Sequence, residues 1–236
     1  MSTSNRTNTP SNDRLLQALA QELKLPLLQI ARQAELSAAG QADPTTLKEI
    51  ELSATQALWF VDSYILSQQL SQQAHLELEP VAVSAALQEA AHVLDGLAKQ
   101  HNCSLELQLS GRFAPVMAHR LGLQTALIGL GSTLITAAQN EQKPRLILAA
   151  HRTHNGVVAG IFSQTDGLSR AIYERGRALY GKARQPLQEF TPQAGAGVFV
   201  ADALFGSMDS HLRVAKHNKL TGLAATLQPS RQLSLI

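Results

Sequence analysis

The sequence predicts an α+β chain, an N-terminal two-helix hairpin followed by an α/β sandwich, and three observations predict it. Apolar residues recur at three- and four-residue steps from Asp13 to about Gln73. Short β-rich runs then alternate with helical stretches. Two strand-like runs close the chain after its last helix.

In the first helix, Leu16, Leu19, Leu23, Leu27 and Ile30 form one apolar face. Pro26 removes a backbone donor inside that run and is expected to bend it. The helix is expected to end near Gly40, and Asp43-Pro44 to open the next one as N-cap and first helical residue. There Leu47, Ile50, Ala54, Ala57, Val61 and Tyr64 make a heptad-like seam, widened by Leu58 and Ile65. Such a hairpin leaves an apolar stripe uncovered. Pairing two hairpins into a dimeric four-helix bundle would bury it.

The expected domains are a disordered polar tail over 1–12, a dimerisation hairpin over 13–73 and an α/β domain over 74–236. Strands are expected near 75–83, 104–109, 115–119, 145–153, 157–163, 211–217 and 223–228. Helices are expected over 83–100, 121–139 and 198–206, with an irregular basic stretch over 169–194. His154-Asn155-Gly156 reads as a hairpin turn.

Composition excludes several function classes. The chain has 236 residues, 44% hydrophobic and 16% charged, with a formal net charge of +2, which is globular and gives no reason to expect nucleic acid. Cys103 is the single cysteine, so neither an intrachain disulfide nor a cysteine metal cage can form. A cytoplasmic setting is expected, since the polar first residues read as no signal peptide. Leu121 to Ala138 is uncharged, but its hydroxyl, amide and glycine content marks a buried helix, not a membrane span.

Three segments, in order, make the chain resemble a sensor histidine kinase core over about 13–229. Gln21-Glu22-Leu23-Lys24-Leu25-Pro26-Leu27 is similar to the phospho-acceptor helix, where the family has His-Glu-Leu-Arg-Thr-Pro-Leu. Gly195-Ala196-Gly197-Val198-Phe199-Val200-Ala201 looks like the glycine box ahead of a helix. Arg213-Val214, Gly222 and the run through Leu227 into Pro229 resemble the terminal hairpin. The resemblance implies an ATPase-type sandwich, homodimerisation through the hairpin, and a protein partner such as a response-regulator receiver or another kinase.

The chemistry positions depart from that pattern. Gln21 stands where the family's histidine attacks ATP. A carboxamide nitrogen is not a useful nucleophile, and Glu22, the adjacent acid, then has nothing to activate. Thr133 falls where the family has its magnesium-holding Asn, and its hydroxyl would still ligate a metal, but more weakly than an amide oxygen. The adenine-reading Asp is matched by either Gln164 or Asp166, beside Gly167. Gly195 and Gly197 keep the glycine pair whose backbone approaches phosphate. The basic segment with Arg170, Arg175, Arg177, Lys182 and Arg184 lies where the family has its nucleotide lid. ATP and Mg2+ are thus the implied cofactors, bound weakly or not at all, and the expected protein is a degenerate kinase acting as a dimeric scaffold. The alternative is a diverged ATP-binding enzyme.

Other residues read more plainly. His151 and His154 look like surface residues without a third metal ligand, and His75 like a packing residue. Trp59, outside the seam, reads as an anchor between protomers or to another protein.

Overall fold

The computed structural model describes residues 9–40, 45–73, 76–109, 111–138, 142–164, 173 and 196–230. The chain begins with a long helical hairpin, α1 (Thr9–Ala38) and α2 (Thr46–Gln72). Then follow β1 (Glu79–Val81), α3 (Val83–Gln100), β2 (Ser104–Leu109), β3 (Val116–Ala118), α4 (Arg120–Ala137), β4 (Arg145–Thr153), β5 (Gly156–Ser163), α5 (Ala196–Ser207), β6 (Arg213–His217) and β7 (Leu220–Leu227).

α1 starts earlier than Asp13 and runs on through Pro26, which is buried. Asp43 and Pro44 lie outside the described residues. Thr45 precedes α2 and already has helical φ −78° and ψ −19°. Gln33 Nε2 donates to Glu49 across the hairpin at 2.5 Å, and Ser53 Oγ to Gln29 Oε1 at 3.4 Å.

The face that α2 buries within its own chain shares only Ala57 with the expected seam. That face is Thr46, Ser53, Ala57, Phe60, Ser63, Ser67 and Leu70, whereas Leu47 is 76% exposed and Val61 40%. Serines can sit inside because their hydroxyls donate to their own helix, Ser63 to Phe60 O at 2.9 Å and Ser67 to Tyr64 O at 2.8 Å. Small side chains on this face let α2 lie close to its neighbours, while Leu47, Leu58, Val61 and Ile65 are left outside.

Five strands form one sheet in the order β2-β4-β5-β7-β6, with β2 parallel to β4 and the other pairs antiparallel. A separate two-stranded ladder joins β1 and β3. Arg145 on β4 grips Glu106 on β2 through two bonds of 2.7 Å. α3, α4 and α5 cover one face of the sheet, and Leu148, Ile161 and Leu223 meet Leu87, Leu94, Leu130 and Phe205 in the main core. Among the described residues, the helices of this half lie on one face, as expected. The opposite face holds a second cluster of Ile147, Ala149, Val158, Phe162 and Ala224. β4 and β5 are thus buried on both sides, which explains their nearly continuous apolar sequence.

Leu121 to Ala138 lies mostly in α4, whose central residues are buried among the other helices. Among the described residues, no helix is long and apolar enough to cross a membrane.

Candidate functional site

α4 organises the region to which the sequence assigns nucleotide chemistry. Its N-terminus is fixed by His119, whose Nδ1 accepts the Gly122 N–H at 3.1 Å. Three turns of apolar packing follow before Thr133, which is 4% exposed. There α5 crosses closely. A Cβ at Gly197 would stand 2.2 Å from Thr133 Oγ1 and 2.9 Å from Gly129 O, so only glycine fits this approach.

One turn before Thr133, α2 closes over the same helix. A Cβ at Gly129 would come within 3.0 Å of the Trp59 ring. Trp59 also meets Phe60 edge-on, ring centroids 5.3 Å apart. Trp59 therefore touches the α/β half of its own chain and joins the hairpin to it. α1 also reaches this region: it touches α5, and Leu19, two residues before position 21, is buried in the main core.

Of the expected site residues, Thr133 and Gly197 come together, and Gln164 stands exposed at the end of β5. Positions 21 and 22 lie within the continuous helix α1, but the side chains of Gln21 and Glu22 lie outside the described residues. Asp166, Gly167, Gly195 and the basic residues from Arg170 to Arg184 also lie outside them, as does His75. Tyr173, from that basic segment, donates its hydroxyl to Leu212 O at 2.9 Å.

The sequence reading missed an imidazole pair on the sheet face opposite α3 and α4. His151 Nδ1 and His217 Nδ1 are 3.1 Å apart, one imidazole donating and the other accepting. The His217 ring also lies 5.2 Å from that of Phe162, and Asn218 Nδ2 is 3.2 Å from His217 Nε2. His151 is thus a paired residue, not a plain surface one. Among the described residues, no group of three potential metal ligands occurs.

Burial holds both imidazoles below their ordinary value near 6.5. The Arg213 charge adds to this at His151, and the partner imidazole adds to it at His217. A base whose folded pKa is depressed leaves stability intact above its unfolded value. The stability is lost as the pH falls from there through the folded values. We expect denaturant-measured stability to fall as the pH drops below about 6.5. His217→Phe, which keeps the ring stack and removes a titrating group, is expected to flatten that decline. An unchanged slope would contradict the assignment.

No protein-family model matches the sequence, and no curated protein is significantly similar to it. Solved structures are similar in shape. A histidine kinase of Acinetobacter baumannii, AdeS, superposes with a TM-score of 0.52 at 16% identity, over 88% of this chain and 96% of that one. This is the fold of a histidine-kinase core. A bacterial phosphotransferase superposes at 0.53 with 11% identity, over 94% of this chain and 98% of the other. ShkA, solved full-length in complex with AMPPNP, superposes at 0.52 with 15% identity, over 78% of this chain and 38% of its own. The likeness thus runs from hairpin to sandwich, at identities that speak for the fold alone.

Proposed function

We propose that this chain is a degenerate histidine-kinase-like signalling protein that works by association, as a dimeric scaffold or regulator, and not by phosphorylating itself. The observation that carries this reading is Thr133. At the position where the resemblance places a metal-holding amide, a hydroxyl lies covered against Gly197. Such a buried hydroxyl does not fit a magnesium ligand, and phosphoryl transfer depends on a positioned metal. Gln21 at the acceptor position agrees with it.

The hairpin supports the associative part. Leu47, Leu58, Val61 and Ile65 on α2 and Leu27 and Leu28 on α1 stay exposed in the single chain, more apolar surface than a solitary hairpin needs to show. A second copy is the proposed cover, and a receiver domain or a kinase the proposed further partner. Incubated with radiolabelled ATP and Mg2+, the purified protein is expected to acquire no acid-labile label. Acid-labile labelling of the chain would overturn the proposal.

A second reading, a diverged ATP-binding enzyme, draws on Gly197 in the first turn of α5, where backbone amides and the helix dipole favour anions. Calorimetry with millimolar ATP and Mg2+ separates the two readings, since the enzyme requires measurable heat of binding.

A further inference from the structure

A cavity of about 420 Å3 lies between the hairpin and the α/β half, walled by α2, α3 and α4. That size falls in the usual range for small-molecule sites, about 300–1,000 Å3. Its apolar walls are Trp59 and Leu66 from α2, Val93 from α3, and Leu121 and Ile128 from α4. Val93 and Leu121 are 53% and 54% exposed, so interior packing accounts for neither. Carboxylates stand on facing walls, Asp62 on α2 and Glu89 on α3, and Gln124 Nε2 orients Glu89 at 2.6 Å. Among the described residues lining the cavity, none is basic.

We propose that this cavity binds a hydrophobic organic cation, an aryl- or alkylammonium whose charge lies between Asp62 and Glu89 and whose apolar part lies against Trp59. Three features select that class. The Trp59 indole offers an aromatic surface to the aryl or alkyl part. Two carboxylates with no lining base attract positive charge and repel anions. The apolar walls reject small hydrated cations, whose desolvation they cannot repay. Because the occupant would touch both the hairpin and the α/β half, the site is placed to couple ligand binding to both. It is independent of the Thr133 region and of whether the chain transfers phosphate.

Trp59 is the only tryptophan, so its emission reports occupancy directly. Benzyltrimethylammonium, titrated at low ionic strength into the full chain, is expected to change that emission saturably. Half-saturation is expected at about 1 mM or below. Asp62→Asn with Glu89→Gln is expected to raise it about tenfold, since two exposed charges are lost. Val93→Arg, placing a guanidinium at the mouth, is expected to weaken binding at least as much, and phenylacetate to produce no saturable change. The changed residues are exposed, and unchanged circular dichroism is the check on folding. Collisional quenching without saturation would overturn the proposal. So would equal affinity in the charge-neutralised variant, or phenylacetate binding as well as the cation.

Discussion

Gly160→Val is expected to destabilise the protein by about 3 kcal/mol, among the largest effects of any single substitution outside the main core. Gly160 lies in β5, between β4 and β7, opposite Ala149 on one side and Ala224 on the other. A Cβ there would stand 2.3 Å from Leu223 O and 2.4 Å from the Ala224 Cβ. One of these obstacles is backbone, which cannot rotate aside as a side-chain tip can. The strand must therefore shift, and with it the register that holds Phe162 and the imidazole pair. Gly96→Ala supplies the contrast. Its new Cβ would meet only Leu52 Cδ1 at 3.7 Å, an ordinary contact, within helix α3. It is expected to stabilise by about 0.5–1 kcal/mol. Urea denaturation of both variants checks the pair, and a Gly160→Val midpoint equal to wild type would contradict the packing described.

The second large effect concerns association. Val61→Glu with Ile65→Glu is expected to weaken self-association by about 3 kcal/mol or more, roughly a hundredfold, because unpaired carboxylates would be buried at the partner face. Val61 and Ile65 are 40% and 46% exposed in the single chain, so the variant should fold normally. Light scattering is expected to give twice the chain mass of 25.4 kDa for the wild type and the chain mass for the variant. A monomeric wild type at high micromolar concentration would remove the proposed dimer.

The regular elements were legible because local patterns dictate them. β2 and α3 have the expected bounds, since alternation over Ser104–Leu109 and an amphipathic stripe over Val83–Gln100 agree with their surroundings. β7 begins at Leu220, earlier than expected. The preceding two-residue turn uses Asn218 and Lys219 with φ of 45° and 69°, and a lysine there gives no turn signal. The face that α2 buries in its own chain was not legible, for a different reason. Hydropathy places leucine and valine inside and serine outside. Here the close approach of α4 and α5 selects small residues, with their hydroxyls satisfied locally. Trp59 and His217 share the remaining limit. Each acquires its role from a residue far along the chain, Gly129 and His151 respectively, which no local pattern links. At the candidate site, the sequence pointed to Thr133 and Gly197 through the resemblance. That the two touch, and so cover the hydroxyl, is a fact of helix packing.

Restoring the acceptor tests the loss of phosphoryl transfer most directly. Gln21→His, dimeric by light scattering, would be incubated with radiolabelled ATP and Mg2+ and assayed for acid-labile, alkali-stable label. With Thr133 covered by Gly197 and no amide to hold the metal, the variant is expected to stay as unlabelled as the wild type. Labelled histidine at position 21 would mean that the nucleotide half still works and that only the acceptor was lost.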